Sequence, residues 1–308
     1  MDFPVLSDAE RLELLTPPAG QSGAKLRMVL DTDTYNEIDD QFAVVQALLS
    51  PERLQVEGIY ATPFHNSRSA GPGDGMQKSF EEILRLLDRL EVEAEGLVHK
   101  GAADWIKGPE TPQECAAAHD LVQRAKEGDG PLYVVAIGAL TNVASALVMA
   151  PEIIDRVVVV WLGGHAHDWP ETREFNLQGD LRASQLVFDC GVPLVQVPCM
   201  GVASHLLTTV AEMERYVEGH GAIGDYLVEI FKGYSKDHFA WSKVIWDISA
   251  VGWLIDPDWV PTELVHSPRV TDQYTYSVDR RRHLIRVARA VRRDAIFGDL
   301  FRKLEARR

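Results

Sequence analysis

Five carboxylates fall within ten consecutive residues near the start of the chain, in segment 31–40, which reads DTDTYNEIDD. The apolar run LRMVL precedes this segment and QFAVVQALLS follows it, a pattern that predicts a buried strand, a turn and an amphipathic helix. Asp31 and Asp33 are two residues apart on an extended segment, so their side chains leave it on the same side. Asp39 and Asp40 fall in the first turn of the predicted helix. The carboxylates are therefore expected to converge at the carboxyl end of a strand, where open α/β sheets bind ligands.

Converging carboxylates need a counter-charge. A helix dipole stabilises one or two of them by ~0.3–1 kcal/mol each, but like charges at short range raise pKa values until some groups protonate, unless a cation is present. Oxygen ligands without His or Cys favour a hard ion, Ca²⁺ or, as the alternative, Mg²⁺. The competing interpretation is a solvated acidic loop with a single N-cap Asp, which the apolar runs on both sides disfavour.

Composition excludes several classes of partner. The chain has 308 residues, of which 46% are hydrophobic, enough to form a core. A formal net charge of −15 argues against nucleic acid and anionic membrane as partners, but not against a small neutral substrate. Three cysteines without CxxC spacing are typical of reduced thiols in a cytoplasmic protein. The acidic amino terminus does not have the pattern of a signal peptide, and no apolar run reaches the ~18 residues of a membrane span.

Alternating strand and helix patterns predict a single α/β domain over residues 25–308, preceded by an amino-terminal extension, 1–24, that ends in the linker-like TPPAGQSG. Short β-branched runs between amphipathic helices indicate an open, mostly parallel sheet with helices on both faces. The predicted strands are 26–32, 54–61, 95–99, 132–137, 157–162 and 193–197, and the predicted helices are 40–50, 76–90, 113–127, 141–150, 180–190, 222–238 and 243–255.

Two further segments have simple interpretations. Residues 64–75, FHNSRSAGPGDG, form a glycine-rich loop after a strand, which is either a mobile lid or a plain connection. The basic clusters at 280–282, 292–293 and 307–308 are expected to lie on a solvated helix face rather than to bind an anion.

Three later places could add groups to the acidic turn. Thr141 or Asn142 opens a helix after strand 132–137, as an N-cap or through a backbone carbonyl that ligates a metal. The polar loop in 161–176 follows a Gly-Gly pair at a strand end; its two His residues lack the third ligand of a transition-metal site. Asp247 begins an otherwise apolar helix, where an acid is seldom buried without a partner.

Four segments in order resemble the nucleoside hydrolase family, the inosine–uridine-preferring type of N-ribohydrolase. They read VLDTD…DDQFAVVQALLSP, VVAIGALTNVASAL, LGGH…EFNLQGDLRASQLVF and IWDISAVGWLID, and the resemblance covers roughly residues 25–303. It implies an α/β fold of the Rossmann-like nucleoside hydrolase architecture. The implied activity is hydrolysis of the N-glycosidic bond of ribonucleosides to ribose and free base, by a homodimer or homotetramer.

The resemblance also assigns roles by motif. It implies a Ca²⁺ ion that binds the ribose 2′- and 3′-hydroxyls and the attacking water, with Asp33 as the general base. Asp31 would lie behind the ligands and support them. The implied ligands of the ion are Asp33, Asp40, Asp247 and the carbonyl of Thr141, and the implied substrate contacts are Asp39, Asn66, Asp168, Glu174, Asn176 and Trp246.

The chain departs from the family pattern at three places. Five residues, TYNEI, separate Asp33 from the Asp pair where the family usually has three, so Tyr35, Asn36 and Glu37 are expected to intrude on the site or enlarge it. Asp168 stands where the family often has Asn for the ribose 5′-hydroxyl. Trp246 stands where the inosine–uridine branch has a leaving-group His. The purine-specific branch also has Trp there, which favours purine nucleosides because a stacked indole stabilises a protonated leaving group by ~0.5–2 kcal/mol.

Two other functions remain open on the sequence. DTDTY after an apolar strand also resembles haloacid-dehalogenase-like phosphatases, with Asp31 as nucleophile, Asp33 as general acid and Mg²⁺ as cofactor, although Tyr35 and the later motifs do not fit that family. The TYNEI insertion also suggests a non-catalytic relative that binds a ribosyl ligand.

Overall fold

The computed structural model describes residues 3–18, 25–108 and 110–307, and within these ranges eight strands form one sheet. The strand order is β3-β2-β1-β4-β5-β6-β12-β9, and every neighbouring pair is parallel except β12–β9. The sheet strands are β1 (Leu26–Thr32), β2 (Leu54–Ala61), β3 (Val98–Lys100), β4 (Leu132–Ala136), β5 (Val157–Leu162), β6 (Leu194–Val197), β9 (Thr262–His266) and β12 (Leu284–Ala288). Two short antiparallel pairs, β7 (Leu207–Thr209) with β8 (Ser242–Val244) and β10 (Arg269–Val270) with β11 (Tyr276–Ser277), lie outside it.

Helices cover both faces of the sheet. Along β1, Met28 and Leu30 belong to one buried cluster and Val29 to the other, because successive side chains of a strand point to opposite faces. The α-helices of the described residues are α1 (Asp8–Leu14), α2 (Asp40–Leu48), α3 (Pro72–Leu90), α4 (Ala116–Lys126), α5 (Thr141–Met149), α6 (Phe175–Gly179), α7 (Leu181–Asp189), α8 (Val210–Tyr216), α9 (Gly221–Tyr234), α10 (Ile248–Ile255) and α11 (Arg293–Glu305). The mostly parallel, open sheet that the sequence predicts is confirmed.

Three local predictions were wrong. The helix predicted over 243–255 begins only at Ile248, because 242–244 pairs with 207–209 as a strand. The loop predicted over 64–75 is shorter, since Pro72 starts α3 at the first helical position, where a missing N–H costs nothing. The arginines at 280–282 lie in the turn before β12 and not on a helix; Arg282 pairs with Asp189.

The described part of the amino-terminal extension contacts the rest of the protein. Ser7 caps α1 in a capping box with Glu10. The buried Arg11 donates to the carbonyl of Gly191 at 2.7 Å, and Leu15 is buried in the larger core cluster. The end of the predicted linker, residues 19–24, lies outside the described residues. In the part of the chain that the structure covers, none of the helices is long and apolar enough to cross a membrane.

The carboxyl ends of β1, β4 and β5 lie side by side at one edge of the sheet. The backbone is tightly packed there: a Cβ on Gly138, after β4, would lie 2.4 Å from Thr62 and 3.1 Å from the Asp33 carboxyl carbon. Gly164, after β5, has a φ of +67°, which a side chain rarely adopts. These glycines let the segments that follow the strands approach the acidic turn closely.

Candidate active site

The acidic turn folds back so that its two ends are bonded to each other. Asp40 accepts hydrogen bonds through Oδ1 from the Thr32 hydroxyl and, at 3.1 Å, from the backbone N–H of Asp33. Behind it, Asp31 accepts a 2.7 Å bond from Asn142 Nδ2, which joins β1 to the start of α5. The turn is thereby held at both the strand and the helix.

Asp247, more than 200 residues later in the chain, joins this turn at the start of α10. Asp39, Asp40 and Asp247 are all buried, and each offers a carboxylate oxygen within 4.8 Å of those of the other two. Asp33 is buried next to them, and neither of its carboxylate oxygens has a hydrogen-bond partner within the described residues. The late Asp and the early Asp pair therefore meet at one point, as the sequence predicts.

Burial raises the pKa of every carboxyl group in this cluster. It raises the pKa of Asp40 to about 7, helped by the charge of Asp39, and that of Asp31 to about 7, although hydrogen bonds from Asn142 and Thr62 oppose the rise. The pKa values of Asp33 and Asp247 are raised well above their ordinary range by burial and then by the neighbouring carboxylates. Positive charge that enters such a cluster would favour its ionised form.

Glu174 and Asn176 form the opposite wall, at the end of β5 and the start of α6. Glu174 caps α6 and accepts backbone bonds from Gly164 at 2.8 Å, Asn176 at 2.9 Å and Leu177 at 3.0 Å. The Asn176 amide donates to two strand-end carbonyls, those of Ile137 and Leu162, each at 3.0 Å. Burial raises the pKa of Glu174, although the backbone donors lower it.

These groups enclose a cavity of about 290 Å³. Its floor carries Asp39, Asp40 and Asp247, and Trp246 lies beside the floor, with its backbone N–H donating to Asp39 Oδ2 at 3.3 Å. The full lining is Asn36, Glu37, Asp39, Asp40, Ile137, Leu162, His165, Arg173, Glu174, Phe175, Asn176, Cys199, Met200, Trp246 and Asp247.

The TYNEI insertion supplies part of this lining. Asn36 and Glu37 line the cavity, whereas Thr34 and Tyr35 turn towards α3, where Thr34 donates to the Ser79 carbonyl at 3.0 Å. Ile38 is buried in the core. The insertion is therefore a packed part of the cavity wall, which we call the insertion wall (residues 34–38).

Three of the predicted site residues lie elsewhere. The Thr141 hydroxyl donates to Asp180, the N-cap of α7, at 2.8 Å, and its carbonyl accepts from Ser145 within α5 at 2.7 Å, and Thr141 is not part of the cavity lining. Asp168 is exposed on the loop after β5 and is not part of the cavity lining. Asn66 reaches the site only through Asn36, to whose side-chain oxygen it donates at 2.7 Å.

The sequence reasoning missed several lining groups. Ile137 lines the cavity and is the first residue after β4, so its carbonyl lies at the strand end. Its position directly before Gly138 is the feature of the sequence that could have identified it. Cys199 lies beside Glu174, and burial raises its thiol pKa well above the ordinary range, so the thiol stays protonated. Lys243, which pairs with Glu37, lies in β8, where the sequence predicts a helix.

The donor set fits a divalent cation. Three carboxylate oxygens lie close enough to share one ion, the neighbouring Asp33 has two unpartnered buried oxygens, and none of the donors is His or Cys. No Lys or Arg of the described residues pairs with Asp33, Asp40 or Asp247. Hard oxygen-binding ions such as Ca²⁺ and Mg²⁺ suit this set.

The fold and this site define an α/β protein with a carboxylate-lined cavity, fitted for a divalent cation, at the carboxyl edge of its sheet. A sequence profile of the family described as inosine-uridine preferring nucleoside hydrolase matches residues 28–298. Because the match spans most of the chain, the chain belongs to this family of N-glycosidase hydrolases.

Curated relatives agree with this assignment. A pyrimidine-specific ribonucleoside hydrolase RihA from Escherichia coli O9:H4 is 30% identical over 267 residues, 76% of this chain and 80% of the relative. The RihA of Klebsiella pneumoniae (strain 342) is 29% identical over 263 residues, with the same coverage. Both relatives are named as pyrimidine-specific, whereas the Trp246 argument favours purines.

Solved structures share the fold. A plant nucleoside hydrolase superimposes with a TM-score of 0.73 at 20% identity, over 92% of this chain and 100% of that one. A purine-preferring ribonucleoside hydrolase from Gardnerella vaginalis gives 0.71 at 20% identity, over 91% and 98%. The predicted nucleoside hydrolase architecture is confirmed, and the family match leaves no support for the haloacid-dehalogenase-like alternative.

Proposed function

We propose that the protein hydrolyses the N-glycosidic bond of ribonucleosides, releasing ribose and free base, with the help of a bound Ca²⁺ ion. The observation that carries the proposal is the convergence of Asp39, Asp40 and Asp247 on the floor of a small cavity. Asp33 is buried next to them, and its carboxylate oxygens have no hydrogen-bond partner among the described residues. Buried carboxylates without a cationic partner are costly. A bound cation would relieve that cost.

We assign the ion to Asp33, Asp40 and Asp247, whereas the carboxylates that lie within 4.8 Å of one another are those of Asp39, Asp40 and Asp247. The strand-end carbonyl of Ile137 is a better backbone ligand than that of Thr141, because Ile137 lines the cavity and Thr141 does not. The Ile137 carbonyl accepts a bond from Asn176, and its second lone pair is left for an ion. Ca²⁺ supplies positive charge that orients ribose hydroxyls and makes a water more acidic. Mg²⁺ is the alternative ion.

Asp33 acts as the general base in this proposal. No described residue donates to either of its two oxygens, so one can accept a proton from the attacking water, and general base assistance contributes ~10²–10⁴-fold. Asp31, bonded to Asn142, supports the turn from behind. As the bond to the base lengthens, the sugar becomes oxocarbenium-like, and the surrounding carboxylates stabilise the developing positive charge.

The ribose lies between the floor and the Glu174 wall. Asp39 holds one ribose hydroxyl, and Glu174 and Asn176, both fixed by backbone contacts, hold others. A deoxyribose would leave these buried groups unpaired, so we expect strong discrimination against deoxynucleosides. Asp168 contributes little here because it is exposed outside the cavity.

The preference for purines stays a prediction. Trp246 lines the cavity and is available to stack on a leaving base, which supports purines. The pyrimidine-specific names of the curated relatives point the other way. Assembly as a homodimer or homotetramer and a cytoplasmic location likewise stay predictions, the first of which sedimentation analysis would check.

The direct test is release of reducing sugar from uridine, cytidine, inosine, adenosine and 2′-deoxyinosine, before and after EDTA treatment. We expect ribonucleosides to be cleaved, activity to disappear on chelation, and added Ca²⁺ to restore it. Calorimetric binding of a ribonucleoside without any hydrolysis over hours would instead support the non-catalytic interpretation. Activity that survives chelation would contradict the proposed role of the ion.

A further inference from the structure

The insertion wall places a fixed carboxylate at the side of the cavity. Glu37 Oε2 forms an ion pair with Lys243, and Oε1 accepts a bond from the Tyr234 hydroxyl at 3.2 Å. The Glu37 carbonyl accepts from Arg68 at 3.1 Å. Three segments distant in sequence therefore hold one residue in place. The side chain keeps 37% of its surface exposed, so it remains able to contact a ligand.

Asn36 complements Glu37 chemically. Its side-chain oxygen accepts from Asn66 at 2.7 Å, so the amide is oriented and its NH₂ group is left to donate elsewhere. Asn36 and Glu37 both line the cavity. The insertion wall thus presents a hydrogen-bond donor beside a charged acceptor.

The position of Asn36 and Glu37 in the cavity indicates which part of the substrate they contact. In the proposed function, the floor acids and the Glu174 wall take up the ribose. Asp39 connects Trp246 to the insertion wall, since it accepts from the Trp246 backbone N–H at 3.3 Å and interacts electrostatically with Lys243 and Glu37. Trp246, Asn36 and Glu37 all line the cavity, so they are available to the leaving group when the ribose occupies the floor and the Glu174 wall.

We propose that the insertion wall recognises the leaving base, with Glu37 accepting a base N–H and Asn36 donating to a neighbouring ring nitrogen or carbonyl. The inference rests on the proposed function and makes it more specific. It predicts selectivity for nucleobases, which carry an N–H next to an acceptor, over leaving groups that lack an N–H.

The ion pair with Lys243 allows the Glu37 carboxylate to lie next to the leaving base. The leaving base gains electron density as the glycosidic bond breaks, and an unpaired anion beside it would oppose that change. Lys243 is buried, lies 4.9 Å from the Tyr234 ring centroid and neutralises Glu37. Glu37 can therefore act by hydrogen bonding without a net charge at the leaving group.

The test compares leaving groups in Glu37 variants. We would measure kcat/KM for uridine, inosine and 4-nitrophenyl β-D-ribofuranoside, whose nitrophenolate has no N–H. In Glu37→Ala we expect the nucleoside values to fall by about tenfold to a hundredfold, mainly through KM, because a hydrogen bond to a charged acceptor is lost. The nitrophenyl riboside value should stay within about threefold. Glu37→Gln, which keeps the shape and an acceptor oxygen, should fall between Glu37→Ala and wild type.

Glu229→Ala is the matched control, because Glu229 is an exposed carboxylate on α9 outside the cavity lining. Equal losses on all three substrates, or no loss on the nucleosides, would overturn the inference. If the wild-type protein cleaved none of them, the proposed function would fail instead. The inference would then be judged by calorimetric binding of uridine, which Glu37→Gln must weaken if it holds.

Discussion

The floor of the cavity and its insertion wall both carry buried or half-buried carboxylates, yet they are neutralised in different ways. Glu37 in the insertion wall has its own cation, Lys243, and a Tyr234 donor. Asp40 and Asp247 on the floor, and Asp33 next to them, have no such partner among the described residues, and burial and mutual repulsion raise their pKa values. The protein thus neutralises Glu37 with its own lysine, whereas the carboxylates of the floor would be neutralised by a bound cation.

Asp39 lies between these two regions. Burial raises its pKa, while Lys243 opposes that rise, and its carboxylate also accepts from the Trp246 backbone. Burial alone would lower the pKa of Lys243, but the carboxylates of Asp39 and Glu37 outweigh it and raise the pKa. A single lysine therefore links the insertion wall to the edge of the floor.

The largest effect on activity should follow from substituting an acidic residue of the proposed metal-binding cluster. Asp33→Asn keeps the size of the side chain but removes its ability to accept a proton. We expect kcat/KM for the best ribonucleoside to fall by at least about a hundredfold, because general base assistance contributes ~10²–10⁴-fold. Circular dichroism and the melting temperature should show a folded protein. Asp129→Asn, at an exposed loop position, is the control; near-normal activity of Asp33→Asn would defeat the assignment.

A smaller effect on activity should follow from removing the positive charge that balances Glu37 in the insertion wall. Lys243→Met leaves Glu37 and Asp39 without their cation, so an uncompensated negative charge faces the leaving group. We expect about a tenfold lower kcat/KM, partly restored in the double variant with Glu37→Gln, as coupled residues are not additive. Lys232→Met, which breaks exposed pairs with Glu214 and Glu218, should stay near wild type. A double variant that is no better than Lys243→Met would rule out charge compensation.

A further effect concerns stability and pH rather than activity. In the folded protein the pKa values of Asp31 and Asp40 are about 7, against about 3.9 in an unfolded chain. Between these values the folded protein holds protons that the unfolded chain has released. The free energy of unfolding of the metal-free protein should therefore fall as the pH rises from about 4 through 7, by up to ~1.4 kcal/mol per pH unit per group.

Urea denaturation at pH 5, 6, 7 and 8, in EDTA and in Ca²⁺, would measure this dependence. We expect the decline in EDTA to be reduced by Ca²⁺, which binds the ionised folded state, and to be weaker in Asp40→Asn. A flat or rising free energy of unfolding in EDTA would mean that the floor is neutralised without an ion.

Local patterns predicted most of the fold. The runs at 26–32, 54–61 and 157–162 became strands with the predicted bounds, because short, largely apolar runs between helices suit a sheet buried on both faces. The prediction failed at 242–244, where the strand exists only because residues 207–209 pair with it. A contact with a distant segment leaves no periodic pattern in the sequence that would reveal it.

The sequence by itself determined the acidic turn, because strand, turn and helix periodicity place Asp31, Asp33 and Asp40 through local geometry alone. Only the tertiary structure decided that Ile137 rather than Thr141 faces the cavity, that Asp168 is exposed, and that Glu37 meets Lys243. The physical reason is distance along the chain. Glu37 and Lys243 are 206 residues apart, and no local preference encodes such a pair before the sheet has brought its carboxyl ends together.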